Sequence, residues 1–323
     1  MTARFDPDGP PRHDVPAGGH SAFTMVDGRQ VHYLAWGRRG APPVVCLHGG
    51  GQTAYMFEEL GGALRDQWFV VAPDLPGHGD SDLDDAASLQ TGGLDRRGLA
   101  GSVVAFADFV GIQRASFVGA SLGGITALTI AAMHPDRVAG VALIDIGHRL
   151  EDDGVRRIVA FMTKHESFGS LDEAADAIAE YLPGRKKQSP ARLTRNLRER
   201  PDGRWVWKHA LGRNLRSASA AAAPDASTGE DATGADAPGD WRRLTAGMDE
   251  ELVQLACPVL VLRGAQSDVL SDAGAQEVAA LVPNARVATI AAAGHLAAGD
   301  NPDSTVSLVR HFLDEIGLGE IGE

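Results

Sequence analysis

Short apolar runs alternate along the chain with stretches in which apolar residues recur at helical spacing. The apolar runs are Val44–Leu47, Trp68–Ala72, Ala115–Val118, Val141–Ile146, Val259–Leu262 and Arg286–Ile290. The helical stretches are Leu94–Val110, Leu122–His134, Ala273–Val282 and Ser304–Ile316. Continuous apolar strands separated by helices are typical of a parallel sheet that is covered on both faces. The pattern therefore predicts an α/β fold with a mostly parallel central sheet and helices on both of its faces.

Two further strands are predicted before the first apolar run. Residues 22–26 and 30–36 are rich in strand-forming residues, and Asp27-Gly28 between them is a hairpin-turn pair. The preceding residues 1–20 are polar and contain four prolines, which predicts a disordered tail. This tail has no apolar core of the kind that signal peptides carry, so we expect a cytoplasmic protein.

A long insertion interrupts the alternation after the sixth predicted strand. Between residues 148 and 256 the chain has amphipathic helical segments and no strand of the parallel type. We expect this insertion to form a mainly helical cap over the carboxyl edge of the sheet, while residues 21–147 and 257–323 form the core. Within the cap, residues 217–240 have no aromatic, basic or large aliphatic residue, which predicts a disordered loop.

Charge and composition narrow the possible classes of function. The 323 residues include 30 Lys and Arg against 43 Asp and Glu, a formal net charge of −13. Phosphates and anionic lipids repel so acidic a chain, so we expect neither a nucleic-acid partner nor a membrane-surface partner. No apolar run approaches the roughly 20 residues that span a bilayer. Cys46 and Cys257 both lie in apolar runs and are interpreted as buried thiols.

A catalytic serine is indicated by the segment Gly119-Ala120-Ser121-Leu122-Gly123. This Gly-x-Ser-x-Gly pattern follows a predicted strand directly and opens a predicted helix. A serine on a sharp strand-to-helix turn needs close neighbours without side chains, and the turn places its hydroxyl above the sheet edge. The positive end of the following helix faces the same point, which would stabilise a developing oxyanion. The context therefore predicts that Ser121 is a nucleophile.

A serine nucleophile needs a base, and the base needs an acid that orients it. His295 follows the last predicted sheet strand and is the predicted base. Two acids are candidates: Asp268, in the loop after Val259–Leu262, and Asp145, near the end of Val141–Ile146. Asp268 is favoured because it lies in the turn after its strand, whereas Asp145 lies partly within its own. The order Ser, Asp, His along the chain suits this architecture.

The oxyanion hole needs two backbone N–H donors. The amide of Leu122, the residue after the serine, is the first predicted donor. The second is expected in the glycine-rich segment His48-Gly49-Gly50-Gly51, which follows the strand Val44–Leu47. Glycine lets a backbone N–H approach the substrate oxygen without a side chain in between. Gly50 is the predicted donor, with Gly51 as the alternative.

The motifs occur in an order that resembles the α/β-hydrolase family. They are Leu47–Gly51, Pro73–Ser81, Gly119–Gly124, Arg263–Asp268 and Gly294-His295. The resemblance runs from about Phe23 to Phe312 and is closest to the capped branch. That branch includes serine esterases, enol-lactonases, carbon–carbon bond hydrolases and cofactor-free haloperoxidases. Haloalkane dehalogenases and epoxide hydrolases of the same fold use an aspartate nucleophile, so Ser121 argues against those two activities.

The residues and the resemblance together imply a serine hydrolase that cleaves an ester or a lactone with water. A second hypothesis keeps the same triad and cleaves a carbon–carbon bond of a ring-cleavage dienoate; a cofactor-free haloperoxidase is implied in the same way. The dienoate is an anion and needs a cationic anchor, for which Arg156, Arg157 and Arg263 are available. A third hypothesis is a non-catalytic, ligand-binding member of the fold whose triad is vestigial.

Substrate-pocket residues are predicted near the oxyanion segment and in the cap. They are Gly51, Met56, Phe57, Phe161, Met162, Trp205 and Trp207. For the two tryptophans, packing inside the cap is the favoured interpretation, and a tryptophan that faced the cleft would indicate a broad apolar pocket. No histidine has metal-ligand spacing with another ligand residue, and no glycine run has a complete dinucleotide or Walker pattern. We therefore expect neither a metal nor a cofactor.

Overall fold

A nine-stranded sheet runs through the part of the chain that the structure describes. The computed structural model describes residues 14–82, 95–182, 185, 187–209 and 242–319. Its strands are Asp14–Val15 (β1), Gly19–Val26 (β2), Arg29–Trp36 (β3), Pro43–Leu47 (β4), Phe69–Pro73 (β5), Ala115–Ala120 (β6), Val138–Ile144 (β7), Ser167–Phe168 (β8), Leu197–Glu199 (β9), Trp205–Trp207 (β10), Val259–Gly264 (β11) and Ala285–Ile290 (β12). The sheet has the order β1-β2-β3-β5-β4-β6-β7-β11-β12, and β8, β10 and β9 form a second, smaller sheet.

Most of the large sheet is parallel. The strands β5, β4, β6, β7, β11 and β12 are parallel neighbours, which confirms the predicted α/β fold. The strands β2 and β3 are antiparallel to each other, and β3 is antiparallel to β5. Asp27 and Gly28 between β2 and β3 have φ values of 49° and 79°, the left-handed backbone of a tight hairpin turn. The predicted hairpin is confirmed.

The prediction of a disordered tail is wrong for residues 14–20. These residues include β1, which pairs antiparallel with the start of β2. Val15 is buried, and the guanidinium of Arg65 donates a hydrogen bond to the carbonyl of Ala17 at 2.6 Å. Pairing along a sheet edge uses backbone groups and needs no apolar sequence, so the polar composition did not reveal it. Residues 1–13 lie outside the described part of the chain.

Helices cover both faces of the sheet. In chain order, the α-helices of the described residues, in core and cap together, are Glu58–Leu64 (α1), Arg96–Phe109 (α2), Leu122–Met133 (α3), Asp152–Lys164 (α4), Leu171–Tyr181 (α5), Pro190–Leu193 (α6), Arg242–Thr245 (α7), Met248–Leu252 (α8), Asp272–Leu281 (α9), Ala297–Asp300 (α10) and Pro302–Gly319 (α11). Among the described residues, no helix combines the length and the apolarity that a membrane crossing requires.

Alternate residues of the strands supply two separate apolar clusters. Val45 and Leu47 of β4 join the cluster that includes α2, α3 and α9. Val44 and Cys46 join the cluster on the opposite face, which includes α1 and α11. The period of two in a strand explains this division. Because both faces are buried, the loops at the carboxyl edge of the parallel strands are the place for a functional site.

Part of the chain between β7 and β11 forms a layer of its own, and we call the described residues between 150 and 209 the cap. The cap contains α4, α5 and α6 together with the small antiparallel sheet β8-β10-β9. Phe168, Leu193 and Leu197 are buried in a cluster that is separate from the two core clusters. Helices α7 and α8, which the sequence placed in the cap, return to the core, where Met248 and Leu252 are buried. The loop predicted at 217–240 lies outside the described residues.

Among the described residues, ion pairs join the cap to the core, and in each of these pairs the cap supplies the cation. They are Arg157–Asp268, Arg185–Asp300, Arg192 with Glu58 and Glu59, Arg195–Glu58 and Lys208–Asp80. A neutral hydrogen bond of 3.2 Å from Thr53 to Asn196 adds to them. The carboxylates come from four separate regions of the core, namely α1, the loop after β5, the loop after β11 and α10.

Candidate active site

Ser121 stands on a sharp turn between β6 and α3. Its backbone has φ 47° and ψ −118°, a strained conformation for a residue with a side chain. A Cβ atom at Gly119 would lie 2.4 Å from the carbonyl oxygen of Gly123, and one at Gly123 would lie 2.0 Å from that of Leu47. Both positions therefore require glycine, which is the physical reason for the Gly-x-Ser-x-Gly spacing.

His295 lies in the loop after β12, and its imidazole contacts a buried carboxylate. Nδ1 of His295 donates a hydrogen bond to Oδ2 of Asp145 at 2.9 Å. The Asp145 side chain is fully buried, and that of His295 is 12% exposed. Because Nδ1 carries the proton in this bond, Nε2 is the nitrogen that can act as a base. Ser121 and His295 line the same cavity.

The prediction that Asp268 orients His295 is wrong, and Asp145, the alternative acid, holds that position. The Asp268 side chain is one third exposed, and its carboxylate pairs with the guanidinium of Arg157 in α4 at 3.1 Å. The residue of this loop that faces the Asp145 carboxylate is Ser267. Asp268 is one residue further along the chain, so it faces the cap instead.

Hydrogen bonds from the β11 loop fix the Asp145 carboxylate. Oδ1 accepts the N–H of Gly264 at 2.8 Å, and Oδ2 accepts the hydroxyl of Ser267 at 2.5 Å. The Ser267 oxygen accepts the N–H groups of Val269 and Leu270, both at 3.1 Å, so its own proton is directed to Asp145. One carboxylate oxygen, Oδ2, therefore receives hydrogen bonds from both Ser267 and His295.

The sequence interpretation placed Asp145 near the end of its strand and partly within it, because the apolar run continues to Ile146. The strand ends at Ile144, and Asp145 has a φ of 53°, so the chain turns at the carboxyl edge of the sheet. The signal that could have identified Asp145 is a carboxylate within an apolar run. A buried charge needs polar partners, and because its apolar neighbours in sequence supply none, the partners have to come from another part of the fold.

The two predicted oxyanion donors belong to segments that lie next to Ser121. Leu122 is the first residue of α3, and the first amides of a helix have no partner within it. The glycine-rich segment lies against the serine, since a Cβ atom at Gly49 would lie 3.4 Å from the Cβ of Ser121. The N–H of Gly49 already donates to Oε1 of Gln52 at 3.2 Å. Gly50 lines the cavity, and among the described residues its amide has no hydrogen-bond partner.

Two buried histidines position the loops beneath the glycine-rich segment. Burial lowers the pKa of His48 and lowers that of His78 to about 3, so both are neutral at pH 7. The N–H of Leu75 donates to Nε2 of His48 at 2.9 Å, and Nδ1 of His48 donates to the carbonyl of Gly49 at 2.8 Å. Nδ1 of His78 donates to the carbonyl of Pro76 at 3.1 Å. These two histidines therefore hold the loops in place through hydrogen bonds.

Within the described residues, one group of side chains has the donor atoms of a metal site, namely His32, Asp74 and Asp80. The atoms that could bind a metal already take part in hydrogen bonds and an ion pair within the protein. Oδ2 of Asp74 accepts Nδ1–H of His32 at 2.6 Å and the N–H of Asp80 at 2.9 Å, while Oδ1 accepts the N–H of Ala54 at 2.7 Å. The Asp80 carboxylate pairs with Lys208 at 3.0 Å. The group is a hydrogen-bond network that braces the loop after β5.

The cavity between core and cap has a volume of about 240 Å³. Of the predicted pocket residues, Gly51, Met56, Phe161, Met162 and Trp207 lie in its wall. The predicted pocket residue Phe57 does not, because it is fully buried in a core cluster. Trp205 packs in the cap cluster, as the favoured interpretation had it. Much of the remaining apolar wall comes from α4 and α5 through Val155, Ile158 and Ile178.

The arginines that the sequence offered as anchors for an anion lie elsewhere. Arg156 pairs with Asp153 on the surface of α4, and Arg157 pairs with Asp268. Arg263 is held by the carbonyl of Leu270 and by Asp272. The arginines in the cavity wall are Arg185, Arg192 and Arg195, which follow α5. They stand in a segment without periodicity, so no sequence pattern distinguished them.

The chain is similar to known hydrolases over most of its length. Residues 42–302 match the family model for the alpha/beta hydrolase fold. An esterase of Mycobacterium tuberculosis is 28% identical over 299 residues, which cover 90% of this chain and 88% of the relative. A 2-(acetamidomethylene)succinate hydrolase of Mesorhizobium japonicum is 24% identical over 302 residues, 92% of this chain and 97% of that protein.

A solved structure gives the same result at the level of the fold. The crystal structure of an alpha/beta hydrolase from Novosphingobium aromaticivorans has a TM-score of 0.70 to this chain at 26% identity. The match covers 92% of this chain and 98% of that structure. The likeness therefore includes both the core and the chain segments that form the cap.

Proposed function

Because the chain belongs to the α/β-hydrolase fold family, we propose that it is a serine hydrolase that cleaves a carboxylic ester or a lactone through an acyl-enzyme on Ser121. One observation carries the proposal. A strained serine between β6 and α3 lies in the wall of the same cavity as a histidine whose Nδ1 is bonded to a buried carboxylate. This is the arrangement of nucleophile, base and orienting acid that acyl transfer needs.

In the first half-reaction, Nε2 of His295 accepts the hydroxyl proton of Ser121 while Oγ attacks the carbonyl carbon. The amides of Leu122 and Gly50 donate hydrogen bonds to the oxyanion that develops, and the amino-terminal end of α3 adds to this stabilisation. Asp145 keeps the imidazole in its tautomer and stabilises its positive charge. His295 then gives the proton to the leaving alcohol as the acyl-enzyme forms.

In the second half-reaction, water replaces the alcohol. His295 removes a proton from the water as its oxygen attacks the acyl carbon, and the same amides stabilise the second tetrahedral intermediate. The proton then returns from His295 to Oγ of Ser121, and the carboxylic acid leaves. The reactants are the ester or lactone and water, and the proposed chemistry requires no cofactor.

The cavity and the relatives support an ester-like substrate. The cap contributes apolar side chains to the wall, among them Ile158, Phe161 and Met162, which suit an acyl or alkyl group. The relative from Mycobacterium tuberculosis is named an esterase. These observations favour the ester or lactone over a non-catalytic ligand, since a vestigial site has no need of a buried Asp145 bonded to His295.

The test replaces the nucleophile and measures turnover of short p-nitrophenyl esters. The Ser121→Ala enzyme should lose at least about 10³-fold in kcat, because removal of a triad member has this size of effect in serine hydrolases. Ser307→Ala, an exposed serine on α11, is the matched control and should turn over the esters like the wild type. Equal turnover by the wild-type and Ser121→Ala enzymes contradicts the proposal.

A further inference from the structure

The wall of the active-site cavity carries three arginines, and two of the three carboxylates that pair with them lie outside it. Apart from histidine, the charged residues in its described wall are Arg185, Arg192, Arg195 and Glu59. The other carboxylates that pair with these arginines, Glu58 and Asp300, are not wall residues. These two carboxylates therefore bind the guanidinium groups without lining the cavity, whereas the three arginines line it.

Arg185 is fixed in place and keeps donors available. Its Nε pairs with Oδ1 of Asp300 at 3.3 Å, and Oδ2 of Asp300 accepts the N–H of Gly294, the residue before His295. A Cβ atom at Gly299 would lie 2.0 Å from Nη2 of Arg185, so this amino group occupies the space above the glycine. Within the described part of the chain, neither terminal amino group has a partner. The two groups form a fork of the kind that binds a carboxylate through two hydrogen bonds.

Arg195 is a second fixed guanidinium in the same wall. Its central carbon lies 5.2 Å from the ring centre of Tyr55, over the ring face, and Nη1 pairs with Glu58. The side chain is 20% exposed, so it is partly removed from water. The neighbouring Asn196 uses its carbonyl oxygen to accept the hydroxyl of Thr53 at 3.2 Å, which leaves its amide N–H groups as donors. This part of the wall therefore offers an excess of donors over acceptors.

Arg192 differs from the other two. Its guanidinium pairs with both Glu58 and Glu59, and its side chain is half exposed. These two ion pairs neutralise the charge of Arg192 and connect α6 to α1. Arg192 is therefore a matched control for the loss of an arginine that joins the cap to the core.

We propose that Arg185 and Arg195 form an anion subsite, so that the natural substrate is an ester or lactone that carries a carboxylate. The inference rests on the proposed function, because it assigns a substrate class to the same cavity. The chain as a whole is acidic, with a net charge of −13, so its overall field does not attract anions. Selection of a carboxylate has to come from local hydrogen bonds in the cavity, where water is partly excluded and charged hydrogen bonds are strong.

The experiment compares matched substrates with and without the carboxylate. On the acyl side, mono-p-nitrophenyl glutarate is compared with p-nitrophenyl hexanoate. On the alcohol side, p-carboxyphenyl butyrate is compared with phenyl butyrate. For each pair, the measured quantity is the ratio of kcat/KM for the anionic ester to that for the neutral one, together with the separate kcat and KM values.

In the pair whose carboxylate reaches the subsite, the wild-type enzyme should favour the anionic ester. Arg185→Gln and Arg195→Gln should each lower the ratio about 10- to 100-fold, mainly through KM, which is the range for one lost charge-assisted hydrogen bond. Arg185→Lys should give an intermediate ratio because it keeps the charge and loses the fork. Gly299→Ala should lower the ratio as well, since its Cβ displaces Nη2. Arg192→Gln should retain the wild-type ratio.

The outcomes separate this inference from the proposed function. If neither neutral nor anionic esters are hydrolysed, or if Ser121→Ala hydrolyses them equally well, the proposed function fails and the inference fails with it. If Ser121-dependent hydrolysis is found but neither pair favours the anion, the subsite alone is overturned. The same holds if Arg185→Gln, Arg195→Gln and Arg192→Gln all change the ratio by the same factor, because the arginines then act only by joining cap and core.

Discussion

At the scale of single residues, the decisive feature is which carboxylate contacts His295. Asp145 is fully buried, bonded to Nδ1 of the histidine and held by Gly264 and Ser267. Asp268, which the loop position favoured, lies one residue beyond Ser267 and pairs with Arg157 in the cap. The two aspartates therefore have separable roles, although both follow adjacent parallel strands.

The first prediction compares the two aspartates. Asp145→Asn should lower kcat/KM for p-nitrophenyl esters about 10³- to 10⁴-fold, because an amide in this position no longer holds the productive tautomer of the histidine. Asp268→Asn should stay within about threefold of the wild type, since it removes a partly exposed ion pair that does not contact His295. A larger loss from Asp268→Asn than from Asp145→Asn would reverse the assignment of the acid.

The second prediction concerns the hydroxyl of Ser267. It shares Oδ2 of Asp145 with His295, so it withdraws part of the negative charge that would otherwise stabilise the imidazolium. In Ser267→Ala that charge is concentrated on the bond to His295, so the acid limb of the kcat/KM profile should move to higher pH. Ser267→Thr retains a hydroxyl and should restore the wild-type profile. An unchanged acid limb in Ser267→Ala would show that the hydroxyl only packs the loop.

The residues of the site differ in how far sequence could identify them. Ser121 could be predicted because its strand, turn and helix are neighbours in sequence. Local spacing also indicated His295 and the glycine-rich segment. The choice between Asp145 and Asp268 depends on where β7 ends within an apolar run, and the end of a strand is set by pairing with β6 and β11. That pairing is a long-range property, so the local pattern favoured the wrong acid.

At the scale of elements, Asp74 follows β5 directly and connects it to the β2–β3 hairpin and to the residues after the glycine-rich segment. It accepts hydrogen bonds from His32 on β3, from the N–H of Ala54 and from the N–H of Asp80. Burial alone would raise the pKa of Asp74, but the hydrogen bonds that its carboxylate accepts from His32 and from the N–H of Ala54 favour the ionised form, and the net effect is a lowered pKa. The folded protein therefore favours the ionised carboxylate.

The third prediction follows from this direction of the pKa shift. A carboxyl group whose pKa is lower in the folded state stabilises the fold above its unfolded pKa, and this contribution is lost as pH falls through the folded pKa. Asp74→Asn should lower the free energy of unfolding by about 3–5 kcal/mol at pH 7, because it leaves buried donors without the charge that they bind. The difference from the wild type should shrink as pH falls below about 4.

Urea denaturation at several pH values measures the contribution of Asp74. Asp136→Asn, an exposed aspartate after α3, is the control and should change the free energy of unfolding by less than about 0.5 kcal/mol at pH 7. A wild-type advantage over Asp74→Asn that grows toward acid pH would contradict the assigned sign.

Sequence identified the elements of the core better than those of the cap. The apolar runs of the parallel strands and the helices between them have clear periods, and each predicted core strand has its counterpart in the sheet. The small sheet of the cap consists of strands of two or three residues, which are too short to show a period. The strand β1 was missed for the same reason, since two residues carry no pattern.

At the scale of the whole molecule, cap and core each have an apolar interior of their own, and ion pairs connect the two. The cap has its own buried cluster around Phe168 and Leu197. Its contacts with the core include ion pairs that involve Arg157, Arg185, Arg192, Arg195 and Lys208, with the carboxylate on the core in every case. The pairs range from largely exposed, as Arg157–Asp268 is, to mostly buried, as Arg195–Glu58 is. The exposed ones contribute about 0.2–1 kcal/mol each and are screened by salt. We therefore expect the attachment of the cap to depend on salt more than the pairing of the core strands does.

The fourth prediction is that salt loosens the cap selectively. Between about 0.1 M and about 1 M NaCl the Debye length falls from roughly 10 Å to roughly 3 Å. Amide hydrogen exchange in α4, α5 and α6 should then become several-fold faster, whereas exchange in β4, β6 and β7 should change little. Equal acceleration in cap and core, or no acceleration in the cap, would show that the ion pairs do not fasten it.

The central claim is that Ser121 forms the covalent intermediate with assistance from His295 and Asp145. The most direct measurement is labelling of the folded protein with a fluorophosphonate, followed by intact mass and peptide mapping. We predict one adduct per chain on Ser121 in the wild type and in Asp268→Asn, none in Ser121→Ala, and much slower labelling in Asp145→Asn. An adduct on another residue, or labelling of Ser121→Ala at the wild-type rate, would contradict the account.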